Sequence, residues 1–189
     1  MRSLYKLSII GLFLFFINFN QVTAQEKLSD ERNYYSFVYK FGFADGKDTK
    51  NLAKNSHTLQ IGKSFTLNKF LSLGPTVSYS HFGSSYLSNK NMVNIGGNVS
   101  IYPKYIAALI MDDIYQSNKD RLFFNVGLQK TITKSDHTLA FNTDLNMGYF
   151  TLGSRLTLSP NLGYQYFISS EKAIEGMGFY TVGLNFQFK

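Results

Sequence analysis

The residues of this chain best suited to coordination chemistry are its three histidines, His57, His81 and His137. Each falls beside the loop end of a strand-like segment. Three imidazoles on one rim could hold a divalent metal ion of borderline softness; the same spacing equally suits three separately solvated rim residues. Ser80, Ser84 and Ser85 flank His81, so a serine–histidine couple is chemically available. No carboxylate is placed to orient the imidazole, however, as nucleophilic catalysis needs. Asp45-Gly46-Lys47-Asp48 faintly resembles a calcium loop. It lacks the alternating oxygen ligands and the terminal Glu, and reads as a solvated turn. Asn98-Val99-Ser100 matches a glycosylation triplet but lies in the middle of a strand-like segment. There is no Gly-rich phosphate loop, nucleophile elbow or His-Glu-x-x-His motif. Cysteine is absent, which excludes zinc-thiolate and iron–sulfur sites and any disulfide framework. No catalytic residue, metal or cofactor is expected, and the chain is read as a non-enzyme.

The elements that would carry these residues are set by composition and period. Of 189 residues, 16% are aromatic, as 13 Tyr and 18 Phe with no Trp, and only 16% are charged. A typical soluble domain carries roughly 25% charged residues. Abundant aromatics with little charge argue against disorder and against an ordinary soluble enzyme surface.

The first 24 residues read as a secretory leader, cleaved before Gln25. Arg2 and Lys6 form a basic start, Leu7 to Phe19 an apolar run, and Val22-Thr23-Ala24 a small-residue cleavage site. The apolar run is too short to span a bilayer comfortably. Without the leader the chain keeps 17 basic and 12 acidic residues, a net charge of +5. Its lysines are dispersed, so anionic lipid headgroups suit that charge better than nucleic acid, which is not expected as a partner. Residues 25–32 form a short N-terminal segment.

From Asn33 onward the dominant period is two, which marks strands with one apolar and one polar face. Tyr35, Phe37, Tyr39, Phe41 and Phe43 share a face opposite Ser36, Val38, Lys40 and Gly42. Seven further segments repeat the pattern. Their apolar members are Leu59 to Leu67, Leu71 to Tyr79, Val93 to Ile101, Leu122 to Leu128, Leu139 to Tyr149, Leu156 to Ile168 and Tyr180 to Phe188. The opposite faces carry Ser, Thr, Asn, Gln and Gly, where a soluble sandwich would place Lys and Glu. Eight strands of about 10–13 residues exceed the soluble norm of about 5–6 and approach the roughly 9–11 that cross a bilayer when tilted. Aromatics gather near strand ends at Tyr35, Phe43, Tyr79, Tyr149, Tyr164, Tyr166, Tyr180 and Phe188, as in the girdles of a membrane barrel. Lipid cannot satisfy an open sheet edge, so the sheet must close. The expected fold is all-β: an eight-stranded antiparallel up-and-down transmembrane β-barrel over residues 33–189, with a polar filled interior.

Connections alternate in length. Short turns are expected at Asn68-Lys69 and around Leu152-Gly153-Ser154. Longer polar loops are expected at Ala44 to Asn55, Gly83 to Lys90, Thr133 to His137 and Ser169 to Gly178. Short turns then face the periplasm and loops the exterior. One connection on the short-turn side breaks the rule. In Pro103 to Asp120, Ile106, Leu109, Ile110 and Ile114 fall at helical spacing behind a proline suited to a first helical turn; the spacing predicts a short periplasmic helix. A ninth strand is the competing reading, and it would give an odd count.

Two charges fall on the polar, inward face, Lys40 and Asp144. They could pair across a lumen that is only wide enough for side chains, or each could be solvated separately. Lys63 falls outward in mid-strand: either its ammonium snorkels or a bulge near Gly62 shifts the register.

The C-terminal stretch is the most specific part of the sequence. Thr181, Gly183, Phe186 and Phe188 resemble the terminal signal read by the outer-membrane barrel-assembly machinery, with Lys189 as a departure after the last aromatic. On these residues and the strand pattern, the chain from about Asn33 to Phe188 resembles the small eight-stranded outer-membrane β-barrels of the OmpA/OmpX-like, porin-family kind. The resemblance implies export to the bacterial outer membrane, outer-membrane lipids and the assembly machinery as partners, and a monomer. It implies a structural or surface-interaction role through the extracellular loops, with a narrow solute pore as the alternative. Some barrels of this size modify lipid A with His and Ser, which leaves His81 and its serines as a second alternative.

Overall fold

A computed structural model describes residues 33–67, 70–84, 87, 89–102, 122–133, 137–147, 150–152, 156–169 and 176–188. The expected leader, the 25–32 segment and the short helix expected in the 103–120 connection lie outside these residues, as do Asn68-Lys69, Gly153-Ser154 and Tyr149.

Among the described residues, period-two patterning becomes nine strands, and one short helix forms. The strands are β1 (Tyr34–Ala44), β2 (Asn55–Thr66), β3 (Leu71–Gly83), β4 (Asn91–Ile101), β5 (Leu122–Thr131), β6 (His137–Met147), β7 (Phe150–Leu152), β8 (Leu156–Ser169) and β9 (Met177–Phe188). Each pairs antiparallel with its neighbour around the order β6-β5-β4-β3-β2-β1-β9-β8, and β6 also pairs with β8. The sheet therefore closes. Strand β7 pairs with the start of β8 and extends the wall that β6 begins, so the barrel has eight walls. The sequence pattern reads that wall as one strand to Tyr149. The pairs Asn146↔Asn161 and Phe150↔Leu158 differ in register by one residue, which is why it divides.

Closure between the first and last strands runs from Tyr35↔Phe188 to Ala44↔Phe179. Apart from the short β7, which pairs with β8, each strand uses both of its hydrogen-bonding sides. The pleat then sorts side chains by parity. In β1 the burial alternates from Tyr34 to Gly42, with Ser36, Val38 and Lys40 inward. In β3 Ser72, Thr76, Ser78 and Ser80 are buried while Leu73, Val77 and Tyr79 are exposed. The outward face is an apolar surface: Ile61 is 60% exposed, Leu128 57% and Tyr180 58%.

Lys63 is outward without a bulge. The pairs Gly62↔Thr76 and Phe65↔Leu73 lie on either side of it in one register. Its ammonium sits 4.9 Å from the Tyr35 ring centre and 5.0 Å from that of Phe65. That cation–π sandwich accommodates a charge on an apolar wall near the short-turn end.

The first loop is more ordered than a polar linker. Gly46–Leu52 forms helix α1, entered through Gly46 at a φ of 74°. Asp45 N–H donates to the Gly178 carbonyl at 2.8 Å, and the Tyr164 hydroxyl donates to Asp45 Oδ2 at 3.0 Å. The Gly178 N–H donates to the buried Thr49 Oγ1 at 3.1 Å. These bonds tie α1 to the start of β9 across the loop-side mouth. The Asp45-Gly46-Lys47-Asp48 stretch is thus a helix entry, with Asp45 held by Tyr164.

Candidate functional site: the filled lumen and its rim

Parity sends the small polar residues inward, and the closed wall brings distant ones together. Lys40 on β1 and Asp144 on β6 are 104 positions apart in sequence. The Lys40 Nζ lies 2.5 Å from Asp144 Oδ2, and both side chains are almost fully buried. Asn142 Nδ2 donates to the same carboxylate oxygen at 3.1 Å. Space for the pair comes from Gly163, directly across from Asp144 on β8. A Cβ at Gly163 would stand 2.4 Å from Asp144 Oδ1, so any larger residue would push the carboxylate away.

Around this pair runs a ladder of neutral hydrogen bonds. Thr58 Oγ1 meets Ser80 Oγ at 2.9 Å and donates to Gln165 Oε1 at 3.0 Å. Ser78 donates to Gln129 Oε1 at 2.6 Å, and Gln129 Nε2 donates to Thr76 Oγ1 at 2.8 Å. Asn94 receives Thr131 and donates to Ser78. Short polar side chains reach one another only in a narrow barrel, and they leave little free volume. The cavity beside Asp144, Asn125, Asn146 and Asn161 measures about 10 Å³, room for roughly one water.

The lumen is not polar throughout, which corrects the expectation of a polar interior. At the loop-side mouth Phe82, Met92, Ala140, Phe167, Met177 and Phe179 form one buried apolar cluster with Ala53, the residue that ends α1. Phe82 and Phe167 meet edge to face at 4.9 Å, and Phe179 lies 5.7 and 6.1 Å from them. These residues continue the inward parity of their strands, but at strand ends, beyond the polar run. That continuation is the signal that finds them. At the opposite mouth Tyr34, Tyr102 and Phe123 are buried, and Tyr102 stacks on Phe123 at 5.5 Å. The lumen thus holds an apolar plug, a polar middle with the Lys40–Asp144 ion pair, and an aromatic floor.

The histidines separate. His57 and His81 are direct partners across β2 and β3, both outward at the loop-side rim. His137 is buried: the register shifts between His137 and Leu139, and the bulge turns it inward. Among the described residues, no three His, Cys, Asp or Glu side chains gather as a metal-holding group. His81 bonds Asn91 rather than a nearby serine, and Ser84 Oγ donates to the Leu52 carbonyl, so the described residues form no serine–histidine couple.

Thr181, Gly183, Phe186 and Phe188 lie on the closing strand β9. Thr181 and Gly183 face inward beside Gly42 and Lys40, while Phe186 and Phe188 face outward beside Phe37 and Tyr35. Phe186 and Phe37 have ring centres 6.2 Å apart.

No family model matches the chain, and no curated protein matches it. Among solved structures it is similar to the outer membrane protein Ail of Yersinia pestis, at 12% identity over 82% of this chain and 99% of that one, with a TM-score of 0.44. A de novo designed transmembrane β-barrel is 15% identical over 82% and 96% of the two chains, with a TM-score of 0.43. The KdgM porin is 10% identical over 82% and 99%, with a TM-score of 0.32.

Proposed function

We propose that this protein is an integral outer-membrane barrel of structural or surface-interaction type, without catalytic activity and without a conducting lumen. One observation carries the proposal: the outward face of the closed wall is apolar while the inward face is filled and polar along its middle. A water-soluble carrier needs the reverse. Residues such as Ile61, Val77, Ile95 and Leu128, exposed together on one surface, gain stability only where lipid replaces water. Lipid then demands the closed backbone pairing that this wall has. The basic leader-cleaved chain suits export and anionic headgroups, with the barrel-assembly machinery acting on the Thr181, Gly183, Phe186 and Phe188 strand. A closed wall leaves no edge for a second copy to pair with, which favours a monomer.

A narrow solute pore is the weaker reading. Solute would have to cross the Phe82–Phe167–Phe179 cluster and then the Lys40–Asp144 pair. The work of the protein therefore falls to its loop-side surface and to the integrity of the envelope. Fractionation tests the proposal. The protein is expected in the outer-membrane fraction after a carbonate wash, to be heat-modifiable on a gel, and to leave planar bilayers silent. Recovery in the soluble periplasm would overturn the membrane assignment; stepwise conductance would overturn the closed lumen.

A further inference from the structure

The loop-side rim of the β2–β3 hairpin holds two histidines side by side. His57 and His81 stand directly opposite each other near the loop-side ends of their strands, one outward pair in from Asn55 and Gly83. Directly opposed residues on antiparallel strands have Cβ atoms about 4.5–5.5 Å apart, close enough for two imidazoles to reach one ion. Beneath them the wall turns apolar at Leu59 and Tyr79, then Ile61 and Val77, so the pair sits where water meets the apolar band.

Both rings are already oriented through their Nδ1 atoms. Asn91 Oδ1 accepts the Tyr79 hydroxyl at 2.7 Å and His81 Nδ1 at 2.8 Å. An amide oxygen only accepts, so His81 Nδ1 is the donor to Asn91, and Nε2 is the ring nitrogen that a metal can take. His57 Nδ1 bonds the Tyr39 hydroxyl at 2.9 Å, and the Phe41 ring meets its imidazole edge to face at 4.9 Å. A ligating histidine has this arrangement: one nitrogen fixed by an oxygen partner and the other available to metal.

We propose that His57 and His81 form a two-imidazole site for a divalent transition-metal ion, with copper(II) bound most tightly, through their Nε2 atoms. Water completes the coordination, Asn91 and Tyr39 fix the rings, and His137 takes no part. Imidazole is a good ligand for copper, nickel and zinc, and affinity at a given nitrogen site peaks at copper(II). With only two protein ligands the ion exchanges readily, which suits capture at a cell surface rather than a structural role. The geometry does not depend on the membrane assignment.

The experiment titrates the refolded full barrel in detergent with copper(II) chloride and, separately, nickel(II) chloride. Electron paramagnetic resonance reads the nitrogen ligands of the copper. One copper per chain with two imidazole nitrogens is expected. His57→Gln and His81→Gln should each lower affinity by at least about tenfold, with the double variant no more than slightly weaker. Asn91→Ala should weaken binding by roughly tenfold while leaving both nitrogens. His137→Gln should bind like the wild type; its heat-modifiability on a gel shows that it is folded. Unchanged affinity in either rim variant, a two-nitrogen signal surviving in the double variant, or loss of binding in folded His137→Gln would each overturn the proposal.

Discussion

Removing one partner of the Lys40–Asp144 pair should destabilise the barrel far more than removing both. At 2.5 Å and an effective dielectric constant of about 20, the direct attraction is about 7 kcal/mol. Burial of the two ions offsets much of it. A single partner left behind then stands as an uncompensated charge, at a cost of about 3–5 kcal/mol. Lys40→Met keeps the aliphatic stem and leaves the Asp144 carboxylate with the Asn142 amide alone. Asp144→Asn keeps the shape and leaves a buried ammonium facing a neutral oxygen. Each should therefore lose about 3–5 kcal/mol, while Lys40→Met/Asp144→Asn should recover most of that loss. A coupling energy of at least about 2 kcal/mol is expected from the cycle. The chain has no Trp, so urea unfolding in vesicles is best followed by circular dichroism and by gel mobility. Two single variants each within about 1 kcal/mol of wild type and strictly additive would show that water, not the partner, solvates these charges, and would refute the reasoning.

Three further outcomes are expected. Val126→Arg, on the outward wall, should fail to fold in vesicles or lose about 2–4 kcal/mol, whereas the adjacent inward Asn125→Arg should lose less because the guanidinium can reach Asp144; comparable refolding yields would contradict the faces assigned to β5. Phe167→Ala removes a fully buried ring with two aromatic neighbours and should cost about 3–5 kcal/mol, measured by the same urea titration; a loss below about 1 kcal/mol would mean that the plug is not a packed core. Phe188→Ala should reduce the heat-modifiable fraction made in cells while refolding in detergent stays near normal, and full yield in cells would remove the assembly role of the terminal strand.

Much of the fold is legible in the residues because a strand encodes its faces locally. Alternation in Tyr35 to Phe43 or Leu71 to Tyr79 needs no knowledge of the neighbouring strand. The inward placement of Lys40 and Asp144 follows from parity alone, and so does the outward placement of Lys63. The resemblance to small outer-membrane barrels rests on the same pattern and on the terminal aromatics.

What alternation cannot specify is which inward residues meet, since that depends on the closure of the wall and on strand register. Lys40 reaches Asp144 only once β1 joins β9 and β6 joins β8. Parity would also place His137 outward with Leu139; one extra residue of bulge reverses it, and a bulge leaves no mark in a two-residue period. Helix α1 forms in a segment whose own pattern is merely polar, because Gly178 and Tyr164, far along the chain, supply partners for Asp45 and Thr49. The apolar plug is the mixed case. The inward parity of Phe82, Phe167 and Phe179 is written in the sequence, but their assembly into one cluster is a property of the closed cylinder. Sequence sets the direction of each side chain through the local pleat. The tertiary structure sets its neighbours, because only closure puts strands far apart in sequence within a few ångströms of one another.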